Sequence, residues 1–209
     1  EQWSFDGNPA HANTSLTIEG TSGASTGTLT ATGHAPFDAA RDVGRWVRLL
    51  QEKSTDSSAS LEERFEWHFA KITGVTSPTI ATIEWSGGNV PQTADWRLGA
   101  FYPGNYPSIC TFHENRLVFA LRNKIYFSSP GDYDNFSPSD VDSSVNPDNA
   151  ITASIPAVNA KKGSISDVTF MQSLGFQLVI GTPSGLHTIQ STSFGEGLKP
   201  DTVTRRPQD

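Results

Sequence analysis

His113-Glu114 opens like the H-E-x-x-H helix of zinc hydrolases, in which two imidazoles one turn apart hold the metal and the glutamate activates water. The second histidine position holds Leu117, and the surrounding alternation is that of a strand, so zinc hydrolysis is rejected. Cys110 and His113 are close enough in sequence to suggest a thiolate–imidazole pair. Three residues apart on a strand they point to opposite faces, which favours a small buried cysteine and a turn histidine instead. Gly181-Thr-Pro-Ser184-Gly185 has the outline of a nucleophile elbow, but the serine lacks a glycine two residues before it. Proline at the second position and glycine at the fourth fit a type I turn. Asp132-Tyr-Asp134-Asn135 sets oxygen ligands at alternating positions, as calcium loops do, without the central glycine or the closing glutamate. Asp132 and Asp134 are thus weak calcium candidates in what reads as a solvated or partner-facing loop. Trp85, Trp96, Phe101, Tyr102 and Tyr106 would suit a sugar-stacking platform, although aromatic residues near a domain junction more often belong to the core. No phosphate-binding glycine loop is present, the five histidines are scattered, and neither a catalytic constellation nor a cofactor site emerges.

The elements that must position these residues are strands. Of 209 residues, 35% are hydrophobic and 18% charged, with 18 Gly and 13 Pro, the profile of a turn-rich all-β protein. The single cysteine excludes an internal disulfide and a cysteine-built zinc site. A net charge of -7 argues against broad wrapping of nucleic-acid phosphates, without excluding a surface that DNA slides past. The longest clean apolar run, Leu117 to Leu121, falls far short of the ~20 residues of a membrane-spanning helix. The chain starts at Glu1, its one methionine is Met171, and no secretion leader is legible, so it reads as a piece of something longer.

Along the chain, 1–14 read as an extended lead-in, 15–97 as a small β module, and 98–209 as propeller-like β-meander blades. In the small module, about five strands are expected over 15–86, with Asp38 capping one helical turn and 51–64 forming an exposed loop. Phe65, Trp67 and Phe69 alternate with polar neighbours on a half-buried strand, and Thr79–Trp85 is its partner across a turn at 74–78. A linker is expected around 91–104. Beyond it, two sets of three short strands look like an internal repeat. Leu117-Val118-Phe119-Ala120 aligns with Leu178-Val179-Ile180-Gly181, and at the same offset of 61 Ile125-Tyr126 aligns with Leu186-His187. Phe112 aligns with Phe170 if a loop difference of three residues is allowed. Repeated meanders of this kind suggest stacked blades whose edges something else must cover. The acidic segment 130–149 lies between the sets, with Tyr133 and Phe136 as its expected anchors.

Asp95-Trp96-Arg-Leu-Gly99-Ala-Phe101, followed by Gly104-Asn-Tyr106-Pro107-Ser-Ile-Cys-Thr-Phe112-His-Glu-Asn-Arg116-Leu117-Val-Phe119, resembles the tail nozzle (tail tubular protein B) family of short-tailed bacteriophages. So do Ser128-Ser-Pro-Gly131-Asp132-Tyr133-Asp-Asn135-Phe136, Asp148-Asn-Ala150-Ile151, Leu178-Val-Ile180-Gly181-Thr-Pro-Ser-Gly185, Leu198-Lys-Pro200 and Val203-Thr-Arg205-Arg206. More loosely, Asp42-Val-Gly44-Arg45-Trp46-Val-Arg48-Leu49 and Trp67-His-Phe-Ala-Lys71-Ile-Thr73 resemble the family's inserted module. Asn149 stands where the family has the second aspartate of Asp-Asp-Ala-Ile.

The resemblance implies structural work in the virion, on a protein assembled in the cytoplasm of the bacterial host. Copies of a longer parent would form a ring, usually sixfold, that prolongs the tail tube below the adaptor protein. Genome DNA would pass through the lumen without specific binding, and fibres or spikes would dock outside. Trp96, Gly99, Tyr106, Pro107, Arg116, Leu117, Gly131, Asp132, Phe136, Gly181, Gly185, Arg205 and Arg206 would then be structural residues, with no catalytic role and no cofactor. The alternative is a carbohydrate-binding β module of a phage-borne or secreted polysaccharide binder.

Overall fold

The structure is a computed structural model that describes residues 3–4, 13–141, 144–155, 167–192 and 197–208; most of the lead-in, including Phe5, lies outside the described residues. The protein is all-β: a nearly closed seven-stranded antiparallel barrel and two four-stranded antiparallel sheets. It divides into two compact units, 5–105 and 1–4 with 106–209. No helix among the described residues is long and apolar enough to cross a membrane.

In the chain order of the whole protein, β1 (Trp3–Ser4) belongs to the second unit. The barrel is built from β2 (Ser15–Gly20), β3 (Thr26–Thr32), β4 (Trp46–Glu52), β5 (Phe65–Ser77), β6 (Ile80–Glu84), β7 (Val90–Thr93) and β8 (Trp96–Leu98), in the order β7-β2-β3-β6-β5-β4-β8. Alternation sends Leu16, Ile18, Leu29, Val47, Leu49, Ile72 and Ile83 inward, each 0% exposed. Register shifts on β2 and β5 bend these strands toward closure.

Two single-turn helices, α1 (Ala39–Asp42) and α2 (Leu61–Arg64), punctuate the barrel. Asp38 caps α1 as the sequence predicts, accepting from the Ala40 N–H at 2.8 Å. The helix α2 falls in a segment expected to be loop. Its signal was a Ser60…Glu63 capping box, too short to outweigh the polar run around it.

Three expectations for the barrel change. The five strands expected over 15–86 are there as β2–β6, but the stretch expected as a linker around 91–104 supplies most of β7 and all of β8, which bring the barrel to seven. The turn expected at 74–78 shrinks to Pro78-Thr79, because β5 continues through Gly74 by bulging rather than ending. The alternating strand β5 is real, yet Ala70 and Ile72 face the core while Phe65, Trp67 and Phe69 lie on the other face. There the Arg48 guanidinium stacks 4.1 Å from the centre of the Trp67 ring, and an arginine stem over an aromatic ring buries what the period alone left open.

The second unit holds two meanders. The first sheet comprises β9 (Ile109–His113), β10 (Arg116–Leu121), β11 (Lys124–Phe127) and β13 (Ile151–Ser154); the short β12 (Asn135–Phe136) pairs with β1 in parallel. The second sheet comprises β14 (Phe170–Leu174), β15 (Gln177–Thr182), β16 (Gly185–Ser191) and β17 (Val203–Gln208). Val118, Ala120, Ile125 and Phe127 of the first sheet share one core with Leu178, Ile180 and Ile189 of the second.

The repeat expected from the sequence is present in the pairing register itself. Adding 61 to both members of every β9–β10 and β10–β11 pair reproduces the β14–β15 and β15–β16 pairs, from His113↔Arg116 (Leu174↔Gln177) to Leu121↔Lys124 (Thr182↔Gly185). The alignment of Phe112 with Phe170 is corrected by this register. Ser173 is the counterpart of Phe112, and Phe170 is the counterpart of Ile109, because both hairpins enclose two residues and no loop difference exists. The fourth strand of each sheet, missed in the sequence, lies beyond a long irregular segment.

Candidate functional site

Several residues of the second unit meet around a buried guanidinium, that of Arg116. Arg116 begins β10, paired with His113 across a tight turn in which Glu114 (φ 46°) and Asn115 (φ 58°) are both left-handed. The turn aims the Arg116 side chain inward, where it is 1% exposed. Its Nη1 donates to the carbonyl oxygens of Ser128 (2.7 Å) and Asn149 (2.8 Å), and its Nη2 to those of Pro147 (2.9 Å) and Leu198 (3.1 Å). Four carbonyls in three segments distant in sequence are thus pinned by one planar fork, the geometry that distinguishes arginine from lysine. Burial pushes the Arg116 pKa down, opposed by the nearby charges of Asp148 and Glu114.

Neighbouring groups complete the knot. The Glu114 carboxylate accepts from the Leu198 N–H at 2.5 Å, so a single peptide stretch is held from both sides by the same hairpin. The Ser128 hydroxyl accepts from the Leu117 N–H at 3.0 Å and donates to its neighbour's carbonyl at 2.9 Å. Pro130-Gly131 forms a turn with Gly131 at φ 74°, and its N–H donates to the Asn115 carbonyl at 2.7 Å. Tyr133 donates its hydroxyl to the Asn115 side chain at 3.0 Å and packs edge-on against Phe112. Phe136 is 1% exposed and stacks on Phe119 with ring centres 5.4 Å apart, so it anchors the loop in the core as expected, whereas Tyr133, expected to do the same, is 40% exposed. Asn149 donates to Asp140 Oδ1 at 2.9 Å and accepts from the Asn146 N–H at 2.6 Å.

A second knot lies in the barrel unit. Asp42, 0% exposed, receives Arg41 at 2.7 Å and Arg45 at 2.8 Å, while Arg45 also donates to the Gly99 carbonyl and covers the Tyr102 ring at 4.8 Å. Burial alone would raise the Asp42 pKa; the hydrogen bonds from Arg41 and Arg45 outweigh it and hold the carboxyl below its usual range. Gly99 donates its N–H to the Trp46 carbonyl at 2.8 Å. Trp96 is 3% exposed, with its indole N–H on the Thr14 carbonyl at 2.7 Å.

The side chains of the remaining predicted residues do not join either knot. Tyr106 is 58% exposed and Pro107 half-buried. Leu117 is half-buried on the outer side of the first sheet. Asp132 and Asp134 are exposed, and among the described residues no group of three or more His, Cys, Asp or Glu side chains is placed to hold a metal. Gly181 lies under the Phe170 ring, Gly185 (φ 143°) ends the Pro183-Ser184 turn, and Arg206 is exposed on β17; of Arg205 only the backbone, paired with Ile189, is described.

The sugar-stacking platform does not form from the aromatic residues expected. Trp96 is in the core, and the Trp85 indole lies against Gly20, Gly27 and Gly87 with its N–H on the Gly88 carbonyl at 2.8 Å. The depression beside it, about 480 Å³ and open to solvent, is lined by Glu19, Thr21, Thr28, Thr82 and Asn89 among others. Cys110 and His113 are reversed from expectation: the thiol is exposed and the imidazole 2% exposed, donating to or accepting from the Ser173 hydroxyl at 2.8 Å. The strand parity was legible; which face meets the second sheet was not. Residues missed at the sequence level are Ser128, Pro147, Asn149 and Leu198 as partners of Arg116, since backbone acceptors leave no signature in residue type. Comparison of the chain with protein-family models and with curated proteins finds no match.

Proposed function

We propose that this chain is a structural part of a bacteriophage tail, of the nozzle or tail-tube kind, and that it does no catalysis. The observation that carries this reading is where the shared motifs lie. Arg116, Ser128, Gly131, Phe136, Asn149 and Leu198 interlock through backbone carbonyls and turns, and none of them lines the surface depression of the barrel. A side-chain network that ties a scaffold together rather than lining a cleft suits a structural ring component better than an enzyme. The edge strands of both four-stranded sheets offer backbone groups that a neighbouring subunit can pair. The net charge of -7 keeps phosphates mobile beside a conduit wall. In this reading copies of the parent chain form a homo-hexameric ring in the virion, between the tail adaptor protein and fibres or spikes, with DNA passing through.

Electron microscopy of the full-length parent protein tests it. A ring, sixfold and with an open channel, is the expected result; a monomer at all concentrations would overturn it. Glycan-array binding that is lost in Trp85→Ala would favour the carbohydrate-binding alternative instead, with Trp96 serving only as a core residue.

A further inference from the structure

The 61-residue repeat reverses which side meets the core. Val118, Ala120 and Ile125 of the first sheet pack against the second sheet, but their counterparts Val179, Gly181 and Leu186 lie on the second sheet's outer face. Conversely, the second sheet's core residues Leu178 and Ile180 correspond to Leu117 and Phe119 on the outer side of the first. Two copies of one repeat that join by unlike faces are stacked head to tail, not related by a two-fold axis. Head-to-tail stacking does not terminate itself: each added unit presents again the face that the previous unit covered.

The two ends of this stack differ. On the outer side of the first sheet, Phe119 is 9% and Tyr126 1% exposed, with Phe136 stacked on Phe119, so the chain itself covers the middle of this face and leaves Phe112 exposed at its edge. On the outer face of the second sheet, Phe170 is 46%, Leu174 54% and Leu186 45% exposed, and Phe176 at the adjoining turn is 59% exposed. Gly181 adds a flat spot under the Phe170 ring.

We propose that the outer face of the second sheet is a docking surface for one further four-stranded β-meander of the same repeat, presenting an aliphatic face like that of Leu178, Ile180 and Ile189. The occupant follows from continuity with the blade–blade interface already in the chain, where that kind of face covers the counterpart residues Val118, Ala120 and Ile125. A second copy of this chain is a poor occupant, because the middle of its equivalent face, at Phe119, is already covered by Phe136. This inference rests on the repeat register and stands independently of any role in a phage tail.

The probe is the full chain extended at its end by a second copy of residues 155–208. In the native interface His113 meets Ser173 at 2.8 Å. The counterpart of His113 is Leu174, so Leu174→Cys in the resident sheet and Ser173→Cys in the appended one, on a Cys110→Ser background, should form a disulfide in high yield. The appended sheet should also raise the unfolding midpoint by about 5 °C or more. Leu186→Arg in the resident sheet should remove that gain while shifting the unextended chain by no more than about 2 °C. Absence of the disulfide, or a yield no greater than with the cysteine at the turn residue Phe176, overturns the proposal. So does self-association of the unextended chain that Leu186→Arg abolishes, because the occupant would then be a second copy.

Discussion

The guanidinium of Arg116 reaches the carbonyl oxygen of Leu198, 82 residues further along the chain, at 3.1 Å. This contact closes the irregular segment before β17 onto the first hairpin of the other sheet. With the carbonyls of Ser128, Pro147 and Asn149 it makes one side chain the common donor to both ends of the β11–β13 connection and to the segment before β17. Removing it strands buried acceptors. Arg116→Ala is expected to destabilise the protein by about 3–5 kcal/mol, and Arg116→Lys by less, because an ammonium cannot reproduce the fork. Urea unfolding monitored by tryptophan fluorescence and by circular dichroism checks this. A loss below about 1 kcal/mol for the alanine variant would show that the carbonyls find other donors.

Asn149 donates to the Asp140 carboxylate and accepts from the Asn146 N–H, so its amide must be both donor and acceptor. Asn149→Asp, the residue pattern of the family it resembles, would set two carboxylates against each other and remove the donor. The expected cost is about 1–3 kcal/mol at neutral pH, shrinking as the solution is taken toward pH 4 and one carboxyl is protonated. Equal destabilisation at both pH values would mean that charge repulsion has no part in it.

His113 and His187 are 2% and 1% exposed, and the Nε2 atom of each is buried without a hydrogen-bond partner. Burial lowers the pKa of both below the ordinary 6.5, for His113 against the opposing pull of Glu114. The unfolded chain therefore binds protons that the folded one refuses. Stability from this source is complete above about pH 6.5 and falls as the pH drops below it toward the folded-state values. Urea midpoints at pH 7.5, 6.5 and 5.5 should decline in that order. The double variant His113→Asn/His187→Leu should flatten the slope between 6.5 and 5.5, and an unchanged slope would place the titration elsewhere.

What the sequence by itself determined is local. Alternation set the strands, Asp38 set the start of α1, and equal hairpin spacing set the 61-residue repeat, because each depends only on neighbours a few positions apart. The alternating strand at Phe65–Phe69 shows the limit: its period was legible, but its aromatic side lies away from the core because Ala70 and Ile72 meet the barrel interior. Both faces of the repeat are apolar, so no pattern within it could say that Val118 faces inward and Val179 outward. The strands β7, β8 and β13 were invisible for a related reason, being short and paired with partners fixed elsewhere in the chain, and β17 shares only the second cause. Only the tertiary structure decided what Arg116 does. Its acceptors are main-chain carbonyls, which every residue carries, and their convergence on one buried cation is a property of how the segments meet.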